Sequence, residues 1–165
     1  MYEEVDTTID YSRSNLRWNG WGAADRDFTY AGYIPAILEA LGPRMGISSF
    51  PRTPSVPLDE LKVPKSRLSG AQFKVLEKIV GHGSLHTSRE ERTIHAAGRS
   101  YYDVLRLRLG RLASFPDAVV YPGSEESVAR LLSWASKNKV AVVPYGGGSS
   151  VVGGVESLRG RSHRA

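Results

Sequence analysis

The stretch Pro144-Tyr145-Gly146-Gly147-Gly148-Ser149-Ser150-Val151-Val152-Gly153-Gly154 is where this sequence concentrates groups that could do chemistry. Glycines in succession let neighbouring backbone N–H groups converge on one anion, because no Cβ stands in the way. Ser149 and Ser150 add hydroxyl donors at the far side of the run. The natural ligand of such a nest is a phosphate or a pyrophosphate. Two common phosphate loops do not fit. A Walker loop needs lysine and Ser/Thr after its last glycine, whereas Gly153 is followed by Gly154 and Val155. The dinucleotide fingerprint needs glycine three places beyond Gly148, and Val151 stands there. The residues alone leave two readings open: an anion-binding loop, or a glycine-rich turn that binds nothing.

Other catalytic arrangements are thin. His82 and His86 stand four apart, but Gly83 lies between them and no Glu follows His82, so the zinc-protease pattern fails. His95, between Ile94 and Ala96, reads as a partly buried imidazole satisfied by its neighbours. No Ser-His-Asp order or carboxylate pair can be singled out, so no catalytic residue and no metal ligand is assigned. The absence of cysteine excludes disulfides, thiol catalysis and thiolate-held zinc or iron–sulfur centres. The opening MYEEVDTTID is acidic and polar rather than basic and then apolar. No apolar run approaches the ~20 residues of a membrane helix. A soluble, cytoplasmic protein is expected. A net charge of +5 and a pI near 9.6 admit nucleic acid as a partner. Six arginines and three acids lie between Arg89 and Arg111, but the arginines alternate with leucines instead of forming one stripe. A solvated helix face is the expected explanation for most of them, and no nucleic-acid partner is assigned.

Several elements must position the glycine loop. Residues 1–33 have no periodicity and carry Arg17-Trp18-Asn19-Gly20-Trp21-Gly22, then Phe28, Tyr30 and Tyr33. They read as an arm pinned by aromatic burial to its own protein, with a stacking platform for bases or sugars as the alternative. A helical region is expected over 34–114. Its first helix runs from Pro35 to Leu41 with Gly42 as the exit, and a proline-rich connector over 43–67 follows. The next helix opens at Ser69, with Gln72 completing a capping box and Leu68 and Phe73 forming a hydrophobic staple. Further helices open at Ser88 (with Glu91) and at Ser100 (with Asp103). The latter is expected to bury Tyr102, Leu105, Leu109 and Leu112. From residue 115 the pattern becomes β-α-β. The first strand is Ala118–Tyr121. Ser124 then caps a helix with Val128, Leu131, Leu132 and Ala135 on its core face, and Val140–Val143 forms a second, fully buried strand. The fold class is α/β (α+β), with the glycine loop at the carboxyl end of the second strand.

The run Pro116-Asp117-Ala118-Val119-Val120-Tyr121-Pro122, the Glu125-Glu126 helix, and Val142 to Val151 together resemble the start of the PCMH-type FAD-binding domain. This is the domain of the vanillyl-alcohol oxidase/p-cresol methylhydroxylase flavoproteins. The Trp-Gly cluster at 17–22 and Ala97-Gly98-Arg99-Ser100-Tyr101-Tyr102-Asp103 are similar to stretches of the alkyldihydroxyacetonephosphate synthases within that family. The resemblance implies FAD as cofactor, with Pro144, Tyr145, Gly146, Gly147, Gly148, Ser149, Ser150 and Val151 around its pyrophosphate and Gly146 to Ser150 the most direct. It implies an incomplete FAD-binding domain over 115–165, with the family's catalytic residues and small-molecule substrate site outside this chain. The implied enzyme exchanges the acyl chain of acyl-dihydroxyacetone phosphate for a fatty alcohol, a step of ether-lipid synthesis. Two alternatives are part of an FAD-linked oxidoreductase of 2-hydroxy acids such as D-lactate or glycolate, and a non-catalytic phosphate-binding module. Taken alone, the chain is expected to be inactive and to hold FAD weakly.

Overall fold

The computed structural model describes residues 15–25, 33–50 and 54–158. The chain forms two compact units, one of Met1–Arg17 with Trp21–Ser55 and one of Trp18–Gly20 with Val56–Ala165. Phe28, Tyr30 and the chain after Leu158 lie outside the described residues.

In the first unit the glycine-punctuated arm turns back on itself. Leu16 and Ala23 form an antiparallel bridge, and the Arg17 N–H donates to Gly22 O at 3.0 Å. Gly22 takes φ +75° at the turn, Ala23 is buried, and Trp21 remains exposed. The helix α1 spans Ile34–Met45, with proline in its first turn as expected. It runs past Gly42 and contains Pro43. Pro43 lacks only one donor, and Gly46 supplies the exit by taking the left-handed conformation at φ +66°. Gly46 N–H and Ile47 N–H both close on Gly42 O. Gly42 is therefore buried inside the helix, where an added Cβ would lie 2.7 Å from Ile47 O.

The second unit begins with a short 3-10 turn, Leu58–Glu60, followed by α2 (Gly70–Val80), β1 (Leu85–His86), α3 (Arg89–Ile94), α4 (Tyr101–Arg108), β2 (Val119–Val120) and α5 (Glu125–Asn138). The three expected helix starts stand. Ser69 and Gln72 make a reciprocal capping box, as do Ser100 and Asp103, and Ser88 Oγ accepts from the Glu91 N–H. Each such cap is worth about 1 kcal/mol. Ser124 caps α5 with Ser127 as its partner, and Lys139 ends that helix at φ +54°. One core joins α2, β1 and α5 through Leu76, Val80, Leu85 and Leu131, with Leu68, Phe73 and Trp134 packed against it. Leu68 and Phe73 thus meet the same core, as a staple requires.

Three expectations are corrected. The helix α4 ends at Arg108 and buries Asp103, Val104 and Leu107, while Tyr102 and Leu105 are exposed. Its capping box fixes the rotation of the first turn and turns Asp103 inward. On α5 only Leu131 and Ala135 of the apolar stripe are buried, whereas Val128 and Leu132 are exposed. Finally, Val140–Val143 is not one of the strands. At Val140 the pairing stops at a single β-bridge, and β2 pairs with β1, antiparallel, in the register Leu85↔Val120 and His86↔Val119. The result is a mixed α/β fold, rich in helix, with a two-stranded sheet among the described residues. No helix among those residues is long and apolar enough to cross a membrane.

Candidate functional site: the glycine loop

The loop leaves the groove formed by α5, β2 and residues 140–145. This groove has a volume of about 540 Å³ and is lined by apolar side chains such as Val119, Val128, Leu131 and Val142. Tyr145 fixes the entry to the loop. Its hydroxyl donates to Ile94 O at 2.9 Å, and its ring lies 4.4 Å from that of His95. His95 is itself held by its α3 neighbours. Its Nδ1 meets Glu91 O at 2.7 Å and its Nε2 lies 3.2 Å from the Tyr121 hydroxyl, which donates to Glu91 Oε2 at 2.9 Å. The expected reading of His95 as a satisfied, half-buried imidazole therefore stands. His82 is exposed and bonds to Glu77, and His86 packs edge-on against Tyr121. The two belong to different environments.

Beyond Tyr145 the chain opens out. Gly146, Gly147 and Ser149 are exposed, as are Pro144 and Val151, while Gly148 is buried and Ser150 half-buried. Gly148 has φ +68°, and a Cβ there would stand 2.1 Å from Tyr145 Oη. The tyrosine ring thus fills the place where a side chain at 148 would go. At Gly146 and Gly147 an added Cβ would meet nothing within 4 Å. Among the described residues, no backbone carbonyl accepts from the N–H groups of Gly146 to Val151. At Gly146 and Gly147 the backbone is bare and exposed, and its N–H groups have no backbone acceptor among the described residues, which is what a phosphate-bearing ligand would need.

The exit of the loop is held from the other side. Ser150 O accepts from the Arg99 N–H at 2.8 Å, and Gly98 lies so close that its absent Cβ would sit 2.1 Å from that same oxygen. Six residues on, Glu156 receives both Nη groups of Arg106, which also bonds Asp103 in the first turn of α4. Hydrogen bonds donated to Glu156 and Asp103 hold the Arg106 guanidinium well above its ordinary pKa. Burial alone would raise the Asp103 carboxyl, but bonds from Ser100 and Arg106 outweigh it and leave Asp103 below its usual range. Sequence reasoning placed Arg106 on a solvated face and gave Gly98 no role. Only a glycine two residues ahead of the Ser100 cap could have hinted at a close approach. Arg92 departs further from that face. It is buried, and it donates to Pro116 O at 2.6 Å and Pro64 O at 2.7 Å, tying the connector to the segment that leads into β2. Burial pushes its guanidinium pKa down. At the surface of the same junction, Arg67 grips Asp117 with Nε at 3.0 Å and Nη2 at 2.7 Å from Oδ2.

Residues 116–161 match the family described as FAD binding domain. The chain is 27% identical over 166 residues to an alkyldihydroxyacetonephosphate synthase of Dictyostelium discoideum, covering 87% of this chain and 27% of that protein. It is 32% identical over 92 residues to a mitochondrial D-lactate dehydrogenase [cytochrome] of Arabidopsis thaliana, covering 56% of this chain and 14% of that one. A solved structure of alkyldihydroxyacetonephosphate synthase superposes with a TM-score of 0.75 at 25% identity, over 91% of this chain and 31% of the other. The chain spans about a quarter of the length of the curated synthases it matches. By sequence and by fold the chain is similar to the alkyldihydroxyacetonephosphate synthases, and its residues 116–161 match an FAD binding domain.

Proposed function

We propose that Pro144 to Val151 cradle the pyrophosphate of FAD, with the N–H groups of Gly146 to Ser150 as the direct donors and the Ser149 hydroxyl beside them. The FAD-binding domain then starts near residue 115, after a helical region over 34–114 and an aromatic arm over 1–33. The observation that carries this reading is the run of N–H groups from Gly146 to Val151 without backbone acceptors among the described residues, inside the stretch that matches an FAD binding domain. The open space at Gly146 and Gly147 fits the group, since a phosphate must approach the backbone closely.

The activity we assign to the whole protein is that of an alkylglycerone-phosphate synthase-like enzyme, working in the cytoplasm and replacing an acyl chain with a fatty alcohol in ether-lipid synthesis. Bound FAD supplies a reversible electron acceptor. This chain's residues would bind and orient it: the loop N–H groups would donate to the pyrophosphate, while Tyr145 shapes the loop and the Ser150 carbonyl ties it to Arg99. The similarity to D-lactate dehydrogenase supports a second reading, oxidation of a 2-hydroxy acid, on the same FAD site.

Equilibrium dialysis of the chain against FAD tests the binding step. Loop hydrogen bonds contribute about 0.5–1.5 kcal/mol each, set against association costs of several kcal/mol. Saturable but weak binding is therefore expected, competed by inorganic pyrophosphate and largely lost on desalting. No saturable binding at millimolar FAD would sink the proposal. In the whole protein, anaerobic bleaching of bound flavin by D-lactate or glycolate would move the assignment to the second reading.

A further inference from the structure

We propose that Gly98 and Arg106, both outside residues 116–161, are positioning residues that set the shape of the phosphate loop before any ligand arrives. The inference rests on the flavin reading of the loop and adds a role for the helical region that precedes it. The linker between α3 and α4 reaches the loop at one point. There the Arg99 N–H bonds to Ser150 O at 2.8 Å, and the contact forms only because residue 98 has no Cβ. A methyl group at 98 would sit 2.1 Å from the Ser150 oxygen and 3.1 Å from Asp103 Oδ2. The obstructing atom at 2.1 Å is backbone, so a flexible side chain cannot swing aside to relieve the overlap. Gly98 is not among the residues with positive φ, so its backbone conformation is open to alanine. The requirement for glycine comes from the loop alone.

Arg106 makes the second tie. It stands one turn after Asp103 on α4 and spans from that carboxylate to Glu156, just past the Gly153 turn, where the Glu156 N–H closes on Gly153 O at 3.1 Å. A planar guanidinium with five donors can bridge two carboxylates at once, which a lysine ammonium does less well. With Tyr145 bonded to Ile94 O at the entry, the loop is held at its ends while Gly146 and Gly147 stay open. All the holding groups outside the loop come from α3, α4 and the linker between them, apart from Glu156.

The test is backbone ¹⁵N relaxation on the full chain without ligand, together with FAD dialysis, for the wild type, Gly98→Ala, Arg106→Leu and Arg106→Lys. The wild-type loop is expected to show order parameters near the rigid value of about 0.85 at Gly146 to Ser150. Gly98→Ala is expected to lower them below about 0.6 and to weaken FAD at least tenfold, with order unchanged in α2 and α5. Arg106→Leu should loosen Gly153 to Glu156 and Arg106→Lys should recover part of that order. Loop order and FAD affinity equal to wild type in both Gly98→Ala and Arg106→Leu would overturn the inference. So would a loss of order spread evenly over the whole chain, which marks a merely structural role. A wild-type chain that binds no FAD overturns the flavin reading instead, and the relaxation data then decide the positioning role by themselves.

Discussion

At Gly98 and Gly148 an added Cβ would meet another atom at 2.1 Å, whereas at Gly146 and Gly147 it would meet nothing within 4 Å. The crowded pair is glycine because the protein itself occupies the side-chain space, with the Ser150 backbone at one site and the Tyr145 ring at the other. The open pair has no such internal reason. Neither Gly146 nor Gly147 has a positive φ, so neither needs glycine for a left-handed backbone. Their bare backbone is what the proposed pyrophosphate contact would use. The contrast therefore separates glycines that the packing demands from glycines that only the proposed contact would demand, and each class makes a different prediction.

The largest effect is expected at the crowded end. Gly148→Ala combines a left-handed φ of +68° with a ring whose Oη, Cζ and Cε1 would stand 2.1, 2.5 and 2.8 Å away. That ring cannot drift freely, being bonded to Ile94 O and packed on His95. Overpacking and backbone strain together should cost about 1–3 kcal/mol of stability, with FAD binding lost alongside. Chemical denaturation of the two proteins measures it. A Gly148→Ala chain as stable as the wild type would mean that Tyr145 yields easily and the crowded class has no special standing.

At the open end the expectation reverses. Gly147→Ala should leave stability within about 0.5 kcal/mol of wild type, or raise it slightly by restricting the unfolded chain. Its FAD affinity should nonetheless fall by at least about tenfold, or 1.4 kcal/mol, because the new methyl group occupies the space through which the pyrophosphate reaches the N–H groups. Dialysis of both variants under one buffer makes the comparison direct. An unchanged affinity in Gly147→Ala would remove the open glycines from the binding surface and leave the loop a turn.

The sequence carried the loop and the helix starts, because each depends on residues close together in the chain. Ser69 with Gln72 and Ser100 with Asp103 are i, i+3 pairs whose geometry is set by one helical turn. What it did not carry are partners set by tertiary approach. Gly98 and Ser150 lie 52 positions apart, and Arg106 and Glu156 50 apart. The β1–β2 pairing likewise joins a two-residue strand, Leu85–His86, to one more than thirty positions later. Two residues are too few for a period-2 pattern to register. The exposed Val128 and Leu132 show a related limit, since hydrophobic periodicity marks a face without saying what covers it.

The smallest effect concerns the ion triad that backs the crowded side. Asp103 Oδ2 is the second atom that a Cβ at Gly98 would meet, and the same carboxylate caps α4 and bonds Arg106. Burial works against its charge, but the bonds from Ser100 and Arg106 prevail, so Asp103 is a stronger acid in the folded chain than in the unfolded one. A depressed carboxylate contributes stability that is fully present above the unfolded value of about 3.9. That contribution fades as pH falls below this value and through the lower folded one. Asp103→Asn keeps the size of the side chain and removes the titration. The urea midpoint of wild type should therefore exceed that of Asp103→Asn at pH 7 and converge toward it below about pH 4. Parallel curves down to about pH 2 would show that the triad holds Glu156 by shape alone. The charge on Asp103 would then have no part in keeping the crowded side of the loop closed.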